Sequence, residues 1–426
     1  MNDRPINQNW TRRRPRFDAR FNPVKSELKL EGEAEVSFVP MDAVGELGKL
    51  RLDEQRALDE VYNGYTYFRD GDILVAKITP CFENGKGARA VGLVGGVGFG
   101  TTELHVARPG DALDGRFLFY ITIAHNFRSL GKAEMLGAGG QKRVPERFLK
   151  DWQPAIPSLR TQERIADFLD KKTAQIDALI AKKRTLLERL AEKRQAIITQ
   201  AVTKGLDPSV PMKDSGIEWL GQIPAHWEVK RLKFFTDGLL KYGANAPADW
   251  DNPSWPRFIR ITDVGVSGKL NDETFRSLPP DIADPYLLTE GDILLARSGA
   301  TVGKSFIYHP EWGTACYAGY LIRARISRLH DAQFIFLFLN SSSFWSWVAA
   351  NFIQSTIQNI NADKYANIWV PCPPKEEQRA IALYAAQTLS TLEKHEKTVS
   401  QSAVTLHEYR SALITAAVTG QIKGLQ

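Results

Sequence analysis

The sequence predicts an α+β protein in which two similar globular domains and two long antiparallel helices form a pseudo-twofold tandem repeat. The chief observation is that the chain repeats itself. Arg194-Gln-Ala-Ile-Ile-Thr-Gln-Ala-Val-Thr203 returns 216 residues later as Arg410-Ser-Ala-Leu-Ile-Thr-Ala-Ala-Val-Thr419, with seven identities in ten. The same offset carries Pro157, Gln162, Ile165 and Ala166 onto Pro373, Gln378, Ile381 and Ala382, so the intervening stretch has no insertion. Gly71-Asp-Ile-Leu-Val-Ala-Lys77 is echoed by Gly291-Asp-Ile-Leu-Leu-Ala-Arg297 at an offset of 220, and Trp10–Phe17 by Trp227–Phe234. A period this long marks a duplicated domain and not a solenoid. A duplicated molecule suits a target with two half-sites.

The second observation is an abrupt change of texture within each copy. Residues 1–155 mix short β-like runs, such as Val36–Val39, Asp72–Ala76 and Leu104–Ala107, with glycine-rich connections, the pattern of a domain of strands and loops. After Pro157 no Gly or Pro occurs until Gly205. Ile165, Leu169, Ile176, Leu179, Leu186, Leu190 and Ile197 recur there at three- and four-residue steps, giving an amphipathic helix over 156–204. About 45 residues at 1.5 Å each make it roughly 65 Å long. Residues 205–226 read as a Pro/Gly-punctuated linker, and 227–372 as the second globular domain. A second long helix follows over 373–426, with Ile381, Leu392, Leu406 and Leu413 on its stripe. Each stripe needs a partner, most simply the other long helix, with helix-to-helix dimerisation of two chains as the alternative.

Composition bounds the function. The 426 residues suffice for two or three domains, and 43% hydrophobic with 24% charged residues is ordinary for a soluble globular protein. The absence of an 18-residue apolar run or an apolar signal core predicts a cytoplasmic chain. The three cysteines are far apart, so free thiols are expected and not a disulfide framework or a metal site. A net charge of +6 leans weakly towards a polyanionic partner. Its distribution says more: residues 1–20 hold six arginines against two aspartates, and 158–204 hold eleven Lys/Arg against six Asp/Glu.

No catalytic constellation is found. Gly299-Ala-Thr-Val-Gly303-Lys304-Ser305 mimics a phosphate-binding loop, but it has three residues between the glycines where four are needed, and strand-like residues follow in place of a helix. The Asp/Asn-Pro-Pro-aromatic tetrapeptide of amino-methylating enzymes is missing, and the seven histidines lack metal-ligand spacing. What remains is loop chemistry suited to nucleic acid. Gln141, Lys142 and Arg143 occupy the place held in the second copy by Gln358 and Asn359, and Arg to guanine or Gln/Asn to adenine are standard major-groove pairings. Lys77 and Arg297, the Lys86 and Lys304 loops, and Ser298, Thr301 and Ser305 complete the candidate DNA-binding set. Phe344-Trp345-Ser-Trp347 reads as core in preference to a stacking platform.

The Pro157-x4-Gln162-x2-Ile165 helix start, the helix end Ile198-Thr-x-Ala-Val-Thr203-Lys-Gly205 and the linker Lys213-Asp-Ser-Gly-Ile-Glu-Trp-Leu-Gly221 to Trp227 resemble the specificity subunit of type I restriction–modification systems over essentially the whole chain. The resemblance implies two target recognition domains that read the halves of a split asymmetric duplex site. It implies that the long helices dock two methyltransferase subunits, which use S-adenosylmethionine to methylate adenine N6. It further implies motor-nuclease subunits that add ATP/Mg-driven translocation and cleavage, with no cofactor expected on this chain itself. An autonomous DNA-binding protein without such partners is the alternative. The first copy departs from the pattern by lacking a counterpart of Ile217–Gly221, so its entry, which keeps Asn9-Trp10, is expected to pack differently.

Overall fold

In the computed structural model of the chain, residues 10–138, 140–265, 270–353 and 359–425 are described. They fall into two compact units, Met1–Arg184 with Gln401–Gln426 and Thr185–Ser400. Both long helices, Leu159–Lys204 and Lys375–Val418, are divided between the units.

Unit one contains β1 (Thr11–Arg12), β2 (Ala19–Phe21), β3 (Glu35–Val39), β4 (Glu54–Ala57), β5 (Thr66–Arg69), β6 (Ile73–Ala76), β7 (Gly87–Arg89), β8 (Val97–Gly100), β9 (Leu104–Pro109) and β10 (Ala155–Ile156). They form sheets of order β2-β9-β6-β7 and β4-β3-β8-β5, with β1 paired to β10. Pairing is antiparallel except for β3 with β8, which is parallel with Phe38 opposite Phe99. Ile73 and Val75 join the core built on Phe117 and Ile121, while Leu74 and Ala76 join another with Val39 and Phe68. A strand buried on both faces reads as an unbroken apolar run, which is why Ile73–Ala76 does not alternate.

Unit two repeats the plan with β11 (Met212–Asp214), β12 (Gln222–Pro224), β13 (Glu228–Arg231), β14 (Lys241–Tyr242), β15 (Arg257–Ile259), β16 (Asp292–Ala296), β17 (Ser305–Ile307), β18 (Ala315–Tyr317), β19 (Leu321–Arg325) and β20 (Trp369–Cys372). The sheet β14-β19-β16-β17 matches β2-β9-β6-β7, and β13 pairs with β20 as β1 does with β10. The parallel pair β15 and β18 matches β3 and β8.

The helix pairing is antiparallel within each unit. In unit one Ile165 and Leu169 share a core with Ile414, Ala417 and Val418. Further along, the buried Arg410 guanidinium donates to Asp177 from Nε at 2.9 Å and Nη2 at 3.2 Å. In unit two Ile198, Ala201 and Val202 share a core with Ile381 and Ala385. Ile165, Leu169, Ile176, Ile381 and Leu392 are buried as the stripe predicts, and Leu190, Ile197, Leu406 and Leu413 are half-buried. Leu179 and Leu186 instead face solvent. A helix turns every 3.6 residues, so Ile180, four residues beyond Ile176, takes the inward position that the three-residue step had given to Leu179.

Two further expectations are corrected. Residues 205–226 are no loose linker: β11 and β12 form an antiparallel pair, and Leu220 and Ile223 are buried in the core of unit two. From Trp10 onward the N-terminal entry also packs as its copy does. Gly205 and Gly420, each at φ 72°, follow the two long helices and present bare backbone to the rings of Trp227 and Trp10. A Cβ at either glycine would stand 3.3 Å from the ring, so glycine meets both the left-handed cap and the close approach. The core of unit one also takes Ile422 and Leu425.

Candidate nucleic-acid interface

The Gly-Asp repeat is a structural pin. Asp72 accepts Arg108 Nε and Nη2, both at 2.7 Å, and Asp292 accepts Arg325 Nε at 2.9 Å and Nη2 at 2.7 Å. The same carboxylates accept the amides of Arg69 and Thr289, each at 2.9 Å, which closes the turn before the strand. The preceding glycines, at φ 92° and 80°, make that turn possible. Gln162 and Gln378 form a second duplicated pin. Each accepts the backbone amide of a helix-capping aspartate, Asp114 or Asp331, at 2.9 Å. Each also donates to the carbonyl of the proline five residues before it, Pro157 or Pro373, at 2.9 Å.

On this shared frame, the end of one central strand meets the loop before a short helix. In unit one the Val144 amide donates to the Lys77 carbonyl at 2.8 Å, and Ile78 bridges Arg143. In unit two the Ile360 amide donates to the Arg297 carbonyl at 2.9 Å, and Ser298 bridges Asn359. Sequence-selected residues thus come together in each unit: Lys77 with Lys142 and Arg143, and Arg297 and Ser298 with Asn359. Gln141 and Lys142 are exposed, and Lys142 is held through its backbone by Thr79. Gln358 lies outside the described residues.

The side chains at the two crossings differ. Arg143 is clamped by Glu103, its Nε 2.9 Å from Oε2 and its Nη2 2.7 Å from Oε1. The hydrogen bond from Arg143 holds the Glu103 carboxyl below its ordinary pKa. Beneath the loop, buried His105 lies with Nε2 2.8 Å from the Val144 carbonyl. In unit two the Arg297 guanidinium lies 4.9 Å from the Tyr242 ring centre, and Tyr320 projects into solvent. The buried atoms Arg297 Nε and Asn359 Oδ1 have no hydrogen-bond partner among the described residues.

Other candidates are less available. The Lys86 ammonium is half-buried and donates to the Met41 carbonyl at 3.1 Å. Ser305 is buried and accepts from Asn340 Nδ2 at 2.9 Å. Thr301 turns back to the Ser298 carbonyl at 3.4 Å, while Lys304 is exposed. Buried Tyr365 braces this loop by accepting the Gly303 amide at 3.2 Å and donating to the Ala296 carbonyl at 2.7 Å. Phe344 is core and stacks on Trp347 with centroids 5.8 Å apart, as the sequence suggested, while Trp345 is exposed at the edge of the cluster. Sequence reasoning missed Glu103 and Tyr320. Each directly precedes the leucine that opens an equivalent strand, Leu104 or Leu321, so the repeat did carry their signal.

The two units share one frame and carry different side chains at their loop crossings. The profile described as "Type I restriction modification DNA specificity domain" matches residues 262–401. The chain is similar to specificity subunits of type I restriction enzymes. It is 40% identical over 316 residues to the EcoAI specificity subunit of Escherichia coli, covering 70% of this chain and 52% of that one. The EcoEI subunit of the same organism is 39% identical over 188 residues, with 43% and 31% covered. The chain therefore spans about half or less of these two relatives. The MjaVIII subunit of Methanocaldococcus jannaschii is 25% identical over 336 residues, with 76% and 74% covered. In fold, a chain solved in work on complex assembly and conformational transition of the type I R-M system superposes with a TM-score of 0.76 at 16% identity, covering 98% of this chain and all of that one. The HsdS subunit from Thermoanaerobacter tengcongensis gives 0.55 at 16% identity, covering 99% and 100%.

Proposed function

We propose that this chain is a non-catalytic DNA-specificity subunit whose two units each read one half of a split, asymmetric duplex site. The observation that carries this reading is the pairing of a shared frame with dissimilar loop crossings. Asp72–Arg108 and Asp292–Arg325 hold the same strands, yet one frame presents Glu103 and Arg143 and the other Tyr320 and Asn359. A frame duplicated for its fold alone has no need of such divergence; one duplicated to read two sequences does. Exposed Lys142 and Lys304 suit phosphate contacts that position the protein without specifying sequence.

The chemistry belongs to partners on this reading. Two methyltransferase subunits bring S-adenosylmethionine and methylate adenine N6, and motor-nuclease subunits bring ATP and Mg for translocation and cleavage. The test is reconstitution. The purified chain alone should transfer no methyl group from S-adenosylmethionine to DNA, and adding the methyltransferase subunit should produce methylation at one bipartite motif. Methyl transfer by the chain alone, or methylation by the complex at no particular motif, overturns the proposal.

A further inference from the structure

We propose that two positions in each unit fix the base pair read at its loop crossing: Glu103 and Arg143 select a G·C pair in unit one, and Tyr320 and Asn359 select an A·T pair in unit two. This rests on the reading of each unit as a duplex-DNA reader and assigns its substrate more narrowly.

The equivalence of these positions comes from hydrogen-bond register. The Lys77 amide donates to the Glu103 carbonyl at 2.9 Å, as the Arg297 amide does to the Tyr320 carbonyl at 3.1 Å. The bridges Ile78 to Arg143 and Ser298 to Asn359 fix the other strand of each crossing. The same two backbone positions thus present carboxylate and guanidinium in one unit, phenol and amide in the other.

Folding accounts poorly for either pair. Glu103 and Arg143 are 24% and 44% exposed in their side chains, and an ion pair so open to water adds little stability. In unit two, an acceptor on Asn359 and a donor on Arg297 are buried without partners among the described residues, a condition folded proteins seldom keep without a reason. Tyr320 is 68% exposed, although burial of its ring would favour the fold.

Base-edge chemistry explains both. In the major groove a G·C pair shows the guanine O6 and N7 acceptors beside the cytosine N4 donor. A guanidinium held next to a carboxylate offers donors beside an acceptor, the complementary pattern, and the ion pair keeps Arg143 extended before DNA arrives. An A·T pair shows adenine N7 and N6, which an asparagine amide meets with two hydrogen bonds, and a thymine methyl that accepts apolar contact. Asn359 supplies the amide, its Oδ1 turning outward from the buried position it holds in the free protein, and the exposed Tyr320 ring supplies the apolar face.

The test is selection of bound duplexes from a random pool by the full chain assembled with its methyltransferase subunits. Exchanging the unit-one pair for that of unit two, E103Y with R143N, should replace one G·C by A·T in one half-site and leave the other half-site unchanged. The single changes E103Q and R143K keep size and fold. Each should relax that position, with a loss of discrimination of about 5- to 150-fold. If the double variant fails to assemble, the singles decide. A retained G·C preference in variants that still select a motif overturns the assignment. Weakening of all sequences alike, which a purely structural or phosphate-binding role would cause, overturns it too. If the unmodified complex selects no motif, the DNA-reading proposal falls, and this inference with it.

Discussion

Asp292 grips one edge of the Arg325 guanidinium with both carboxylate oxygens, at 2.9 Å from Nε and 2.7 Å from Nη2, from a fully buried position at the start of β16. Asp72 and Arg108 repeat the grip in unit one, where the arginine is also covered: its side chain is 9% exposed against 34% for Arg325. Removing one member of a buried pair leaves the other charge uncompensated, at about 3–5 kcal/mol. D72A should therefore destabilise unit one by at most that much, since Glu27 still pairs with Arg108, and D292A should destabilise unit two by less, because Arg325 can turn to water. Hydrogen exchange resolves the units separately; equal losses would refute the burial argument.

Gln162 is buried, with its amide spanning the Asp114 amide and the Pro157 and Ala112 carbonyls. Q162A should cost about 1–3 kcal/mol for the groups left unsatisfied. Q162E should cost more, because its second oxygen faces carbonyls where Nε2 now donates. Thermal unfolding of the two variants gives the order, and a glutamate milder than alanine would contradict the hydrogen-bond roles assigned here.

Burial pushes the His105 imidazole below its ordinary pKa, and His330 in unit two moves the same way for the same first cause. The folded state thus keeps these rings neutral while the unfolded chain takes up protons near pH 6.5. Stability should be full above about pH 6.5 and fall as the pH drops below it towards the folded values. Scans of unfolding temperature from pH 8 to 5 should show this slope, reduced in H105Q. A slope unchanged by H105Q would mean the ring does not titrate on unfolding.

The two loop lysines should part company in a salt titration of DNA binding. K304A should weaken all sequences alike and lower the salt slope by about one, because Lys304 is exposed. K86A should leave the slope in place, since its ammonium already serves the Met41 carbonyl.

The legible parts of this fold were those that the chain states twice. Offsets of 216 and 220 exposed the long helices and the Gly-Asp strands, because packing and turn chemistry constrain residue type at each position. The pins behind them were not legible: Gln162 reaches Asp114, and Asp72 reaches Arg108, across separations that periodicity cannot encode. Leu179 misled because a three-residue step and a four-residue step look equally apolar until the partner helix selects Ile180. In the site, basic residues drew attention because charge suggests phosphate. Glu103 and Tyr320 did not, since neither type signals nucleic acid until the strand register places them at the same crossings as Arg143 and Asn359.

The central claim, that one frame is used twice to read two sequences, is tested most directly by mapping methyladenine in cells whose chain carries residues 227–372 from a relative of different specificity. The account predicts a new sequence in one half of the methylated motif and the original sequence in the other. A motif changed in both halves, or unchanged in an active complex, would contradict it.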